Sequence, residues 1–242
     1  MKKIPSIKEL KEICKKRNET AWRDKLNRSI TIRFTKVFLH LGATPDQITI
    51  LSLIIGLISV AFFATGSYGF AILAVIFHHL SHILDGCDGE IARYDPKKKS
   101  GKGAYMDLMV YFILFPLILM AMGAGAFFNN PLPIPNYIFL IAGFTGSYFL
   151  FLSNLITPVK LQYHVKERDF KALKDVNKEY KQKKSEFESQ IRFFISPGEI
   201  FNIVFVFGIL NLVWLIVIIY AIWYPILFIR KIYNVTKQMD KK

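Results

Sequence analysis

From Asp85 the chain reads Asp85-Gly86-Cys87-Asp88-Gly89-Glu90-Ile91-Ala92-Arg93, and nine residues further on Gly103-Ala104-Tyr105-Met106-Asp107. Both halves of this stretch run into apolar segments long enough to cross a bilayer. An ionised side chain at membrane depth is costly unless it meets a cation, a partner or water, so acids placed there mark a functional site. Asp85, Asp88 and Gly89 stand at i, i+3 and i+4, which puts two carboxylates beside a residue with no side chain on one helix face. Asp107 approaches from the start of the next apolar segment. Three hard oxygen donors around a gap suit Mg2+ or Mn2+. The missing Cβ at Gly89 lets a flat or phosphorylated ligand approach the backbone, and Arg93, one turn on, can pair with phosphate oxygens. The plainer alternative, a solvated charge cluster of Asp88, Glu90 and Arg93 at a helix end, requires the spacing, the glycine and the third acid to coincide.

Composition agrees with a membrane protein that works at one face of the bilayer. Apolar residues make up 52% of the chain and aromatic residues 15%, and the formal charge is +14. That is too apolar for disorder and too unevenly charged for an ordinary soluble domain. Expected spans are Ile48 to about Thr65, Tyr68 to Arg93, Gly103 to Gly125, Ile134 to Val159, and the run Ile200 to Ile229. That last run exceeds what one helix needs to cross a core of about 30 Å at about 1.5 Å per residue, so it breaks near Gly208 to Asn211 into a short fifth and a full sixth span. The fold class is an all-α integral membrane protein with six transmembrane helices.

All 32 Lys and Arg fall into four segments: 12 before the first span, five from Arg93 to Lys102, 10 from Lys160 to Arg192 and five from Arg230 onward. The positive-inside rule then places both termini and the Asp cluster on the cytoplasmic side, with the cell membrane as the expected location. This positive face attracts anionic lipid headgroups rather than nucleic acid. From Arg28 to Leu41, Ile30, Phe34, Val37, Phe38 and Leu41 recur at helical spacing against Arg28, Thr31, Arg33, Thr35 and Lys36, as in an N-terminal amphipathic helix lying on the interface. The expected organisation is a cytoplasmic segment over 1–42, a six-helix domain over 43–234 with a basic cytoplasmic loop at 158–196, and a tail over 235–242. Residues 1–27 are charged throughout and lack the apolar core of a signal peptide. Lys166 to Arg192, which mixes both signs, reads as a solvated helix or loop, and Ser196-Pro197-Gly198-Glu199 as a capping box opening the fifth span. Cys14 and Cys87 have no zinc-ligand spacing and are expected to be free thiols.

The residues Asp85, Asp88, Gly89, Ala92, Arg93, Gly103 and Asp107 resemble the CDP-alcohol phosphotransferase family, whose pattern is D-x-x-D-G-x-x-A-R, a short spacer, then G-x-x-x-D-x-x-x-D. Ala43-Thr44-Pro45-Asp46-Gln47-Ile48-Thr49 is similar to the family's entry into its first membrane helix. The resemblance implies transfer of a phospho-alcohol or phosphatidyl group from a CDP-linked donor to the hydroxyl of a lipid or polar alcohol, with release of CMP. It further implies a divalent metal on Asp85, Asp88 and Asp107, and nucleotide contacts from Gly89, Ala92, Gly103, Pro45 and Thr49. Arg93 would bind phosphate, and a homodimer would be the assembly.

The chain departs from the pattern at its last position, where Tyr111 replaces the aspartate taken as general base and second-metal ligand. A phenol titrates near about 10 and binds magnesium poorly, so it does not replace a carboxylate in kind. His78, His82, Asp85 and Gly89 lie at i, i+4, i+7 and i+11, which sets His82 one turn deeper on the same face as a substitute base. Packing against a neighbouring helix is the alternative role for His82, and for Tyr111 the choice lies between packing and orienting a substrate. A member that binds the nucleotide without transfer is the second functional reading, and a six-helix transporter the third.

The charge pattern makes a topological prediction. A cysteine at Asn130 should be labelled by an impermeant thiol reagent from outside intact cells, and one at Lys98 only after the inner face is exposed. Labelling of Lys98→Cys in intact cells would overturn the orientation.

Overall fold

The computed structural model of the chain describes residues 4–15, 22–98, 100–130, 132–166 and 197–239, and these are helical apart from short connections. The helices are α1 (Ile7–Ile13), α2 (Trp22–His40), α3 (Pro45–Ala64), α4 (Tyr68–Tyr94), α5 (Gly103–Phe128), α6 (Tyr137–Lys166), α7 (Pro197–Ile209) and α8 (Val213–Met239), with a 3₁₀ turn at Pro96–Lys98. Among the described residues α3, α4, α5, α6 and α8 are long and apolar enough to cross a membrane. The protein is an all-α, multi-pass integral membrane protein. The expected short fifth span is α7, whose 13 residues reach roughly 20 Å, less than the hydrocarbon core. The capping box expected at Ser196 and the mixed-charge segment lie outside the described residues, apart from Lys166 at the end of α6.

Local chemistry sets the boundaries. Gly42 has φ 72°, and the bonds from its N–H to Leu39 O (3.2 Å) and from Ala43 N–H to Phe38 O (3.0 Å) form a Schellman stop for α2. Two residues later Thr44 and Gln47 cap each other, Thr44 N–H donating to Gln47 Oε1 at 2.9 Å and Gln47 N–H to Thr44 Oγ1 at 3.4 Å, so Pro45 opens α3 at the first helical position. The break expected near Gly208 to Asn211 has the same origin. Asn211 is left-handed (φ 57°), and Leu212 N–H bonds to Phe207 O at 2.7 Å while Asn211 N–H bonds to Gly208 O at 3.2 Å.

Several boundaries shift from the sequence expectation. α6 begins at Tyr137 rather than Ile134 because Asn130 organises the preceding turn: its Oδ1 accepts from Leu132 N–H at 2.8 Å and its Nδ2 donates to Asn136 Oδ1 at 2.9 Å. α6 continues through Pro158 to Lys166, so 158–166 of the expected loop are helix, and α8 continues through Pro225 to Met239, so most of the expected tail is helix. Residues 1–27 are not merely charged. Ser6 and Glu9 form a capping box for α1, and Leu10 and Cys14 are fully buried.

The chain forms two compact units, one of residues 1–62 and 73–114, the other of residues 63–72 and 115–242. In the first, hydroxyls tie α3 to α4: Ser59 Oγ donates to Ala74 O at 2.7 Å and Ser81 Oγ to Ser52 O at 2.8 Å. Lipid offers no competing partner for such bonds, which makes them a common adhesive between membrane helices. Leu10, Cys14, Ile32, Leu39, Ile48, Leu84, Cys87 and Ile91 join α1, α2, α3 and α4 in one buried cluster. Phe34 and Val37 of α2 and Leu41 just after it are exposed, as an interfacial face requires, while Thr31 and Thr35, expected on the polar face, are buried.

In the second unit small residues let helices touch along their backbones. A Cβ on Gly123 of α5 would lie 2.7 Å from Phe139 O and 2.9 Å from Gly143 Cα of α6. A Cβ on Gly146 of α6 would lie 3.3 Å from the backbone of Tyr220 and Ala221 on α8, and Phe149 meets Phe228 edge-on with ring centroids 5.5 Å apart. Gly123→Leu should therefore force α5 from α6 and destabilise the protein by about 1–3 kcal/mol, as overpacking does. A thermal unfolding scan in detergent should show this fall, whereas Gly69→Ala, with no atom within 4 Å of its added Cβ, should lose nothing.

Candidate functional site

The acids predicted from the sequence gather where α3, α4 and α5 begin or end. Thr49, one turn into α3 and 2% exposed, is the point of contact. Its Oγ1 lies 2.7 Å from Asp88 Oδ2 and 3.4 Å from Asp107 Oδ1, and 3.2 Å from Pro45 O of its own helix. A hydroxyl has one proton, and the shortest contact assigns it to Asp88. Asp88 is 6% exposed, whereas Asp85 and Asp107 reach the surface, so the cluster is a buried carboxylate with two exposed ones at its mouth. The charges of Asp85 and Asp107 both act on Asp88.

Asp46, next to Pro45, joins the site from the start of α3. Ser100 Oγ donates to its Oδ1 at 2.7 Å, and Lys102 Nζ stands 3.7 Å from its Oδ2. Lys98 Nζ donates to Gly42 O at 2.9 Å, so the connection from α4 to α5 is strapped across the turn between α2 and α3. These bonds fix where α5 begins and so where Asp107 stands. A Cβ on Gly103 would meet Ser100 Oγ at 3.7 Å and Asp46 Oδ1 at 4.0 Å, ordinary contacts, so nothing in this unit crowds the position. In the sequence the signal for Asp46 is only that of an acid in the first turn of a helix.

A second network lies on the other side of α4. Glu90, 3% exposed, accepts from Thr31 Oγ1 at 2.7 Å and from Thr35 Oγ1 at 2.6 Å, both on α2. Gly86 lets α2 come this close, since a Cβ there would meet Thr31 Cγ2 at 2.9 Å. Arg93 lies over Gly89: a Cβ on Gly89 would fall 3.2 Å from Arg93 Nη1, and Arg93 Nε donates to Cys14 O at 2.7 Å. Ala92, between these groups, is half-buried.

His82 is half-buried on α4, one turn from the buried His78. Tyr111 is half-buried one turn beyond Asp107, its ring edge-on to Phe112 with centroids 6.0 Å apart. Cys14 and Cys87 are free thiols, as expected. Among the described residues no three His, Cys, Asp or Glu side chains form a ready metal cage. The donors nonetheless fit a divalent cation in kind, because hard carboxylate oxygens of like charge converge on one hydroxyl, and a cation relieves their repulsion.

The profile of the CDP-alcohol phosphatidyltransferase family matches residues 42–173, which takes in α3, α4, α5 and all of these acids. The chain belongs to that family. Over 83 residues it is 41% identical to the "Bifunctional IPC transferase and DIPP synthase" of Archaeoglobus fulgidus, a match covering 34% of this chain and 16% of that protein. A protein of the same name from Thermococcus kodakarensis is 38% identical over 82 residues, 34% of this chain and 18% of the relative. The "Inner membrane protein YnjF" of Escherichia coli is 31% identical over 109 residues, 45% of this chain and 50% of the relative. The chain thus spans half or less of the length of these relatives.

Within this family member, Thr49 should be worth more than its size. Thr49→Val keeps the shape but leaves Asp88 buried without its hydroxyl, and should cost about 1.5–3 kcal/mol in detergent unfolding, the range for a bond to a charged group. Thr49→Ser should recover most of that loss.

Proposed function

We propose that the chain is a membrane-embedded transferase that moves a phospho-alcohol or phosphatidyl group from a CDP-linked donor to an acceptor hydroxyl and releases CMP. The observation that carries this reading is the convergence of Asp88 and Asp107 on Thr49, within the residues that match the family. The names of the two archaeal relatives, a transferase and synthase, support it. A lipid hydroxyl and a polar alcohol such as inositol phosphate both suit the acceptor role at a site opening at the membrane face. The positive-inside pattern puts that opening, and both termini, in the cytoplasm, where a CDP-linked donor reaches it. A homodimer is the proposed assembly.

Asp85, Asp88 and Asp107 would hold Mg2+ or Mn2+, which neutralises and orients diphosphate charge when bound. The chain's own residues divide the remaining work. Pro45, Thr49, Gly89, Ala92 and Gly103 lie against the nucleotide, and Arg93 pairs with phosphate oxygens through its planar fork. The acceptor oxygen bonds to the donor's β-phosphorus while the bond from that phosphorus to the bridging oxygen breaks, and the bridging oxygen leaves on CMP. The acceptor's proton passes to His82, with Tyr111 orienting the donor or acceptor.

Release of CMP from a panel of CDP-alcohols is the direct test. Asp88→Ala and Asp107→Ala should abolish both release and divalent-dependent donor binding in a folded protein. His82→Ala should slow release by about 10²- to 10⁴-fold, the usual loss on removing a general base. Tyr111 favours one second reading, a nucleotide-binding protein that no longer transfers. No CMP from the intact chain, with activity gained in Tyr111→Asp, would decide for it.

A further inference from the structure

Arg93 is held from outside the three helices that carry the acids. Its Nε donates to the main-chain carbonyl of Cys14, which closes α1, at 2.7 Å. The carbonyls of a helix's last turn lack partners in their own helix and carry the negative end of its dipole, so a guanidinium suits them. Arginine can engage an oxyanion through its Nε edge or through its two Nη groups. With Nε on Cys14, the Nη edge is the one left to a ligand, and Nη1 already stands over Gly89. α1 is itself well fixed. Leu10 and Cys14 are fully buried against Leu84, Cys87 and Ile91 of α4, Lys11 Nζ donates to Ser29 Oγ of α2 at 3.1 Å, and Cys14 Sγ donates to Glu90 O at 3.4 Å.

We propose that α1 is a positioning element of the site: docked on α4, it locks Arg93 by the Cys14 carbonyl so that the guanidinium presents its two Nη groups across Gly89 to the diphosphate of a CDP-linked donor. The inference rests on the reading of the site given above and extends it to residues outside the family match, which begins at 42. Without the lock, Arg93 must be ordered when the donor binds, and immobilising one such side chain weakens affinity by about 2- to 12-fold. The restraint acts equally in ground and transition states, so KM should rise with kcat unchanged.

The test is a double-mutant cycle in the full chain between Leu10→Asp, which undocks α1, and Arg93→Lys, which keeps the charge but has no Nε to lock. Undocking has its own readout. The buried Cys14 thiol is pushed up to about 11, by burial first and then by the Glu90 charge, so alkylation at pH 8 should be slow in the parent and fast once α1 leaves. The expected result is that Leu10→Asp speeds Cys14 alkylation and raises KM for the CDP-alcohol, and the Kd for CDP by calorimetry, by about 2- to 12-fold, with little further effect in the Arg93→Lys background. Fast alkylation with unchanged KM and Kd, or losses that simply add, would overturn the proposal while leaving the site's reading in place. If Leu10→Asp does not fold, Leu10→Ala, which weakens docking with less disruption, is read in the same cycle. An intact chain with no affinity for any CDP-alcohol overturns the reading of the site itself, and this proposal with it.

Discussion

Everything at the membrane face of this protein turns on carboxylates placed where water is scarce. Asp88 sits 6% exposed in the last two turns of a membrane-spanning helix, and the charges of Asp85 and Asp107 bear on it. Such a group persists in a folded protein only if donors surround it or a cation is available. Thr49 supplies the donor, and the beginnings of α3 and α5 are arranged so that it can. The caps that start α3 at Pro45 and the Asp46 contacts that start α5 are therefore parts of the site as much as of the fold.

Glu90 shows the same constraint answered differently. Its two carboxylate oxygens each receive a threonine hydroxyl from α2, and the main chain around it is covered by α1. Two adjacent turns of α4 thus hold acids in different settings: Asp88 takes the Thr49 hydroxyl of α3, and Glu90 fastens α2 to α4. Exchanging Thr31 and Thr35 for apolar residues would strand a buried charge, which costs more than the bonds themselves are worth.

The second unit carries no comparable cluster among the described residues. α6 and α8 meet through Gly146 and through Phe149 and Phe228, and α5 meets α6 through Gly123 and Gly143. Its packing is that of helices in lipid, where close backbone approach replaces the hydrophobic drive available in water. A Schellman stop ends α7, and an asparagine organises the turn before α6.

The sequence by itself determined the class and which acids share a helix face. Apolar runs of membrane length, acids at i and i+3 with a glycine beside them, and a third acid at the next span's start are local facts, legible because a helix converts spacing into a face. The break at Asn211 was legible for the same reason, since overlong apolar runs must turn. The pairings were not. That Thr49 donates to Asp88, that Thr31 and Thr35 are buried donors rather than a polar face, that Asp46 meets the connection into α5, and that Cys14 holds Arg93 are decided by residues from 39 to 79 positions apart. Spacing along one helix says which side chains share a face, but which neighbouring helix meets that face, and at what height, depends on how the helices pack, and only the tertiary structure decides it.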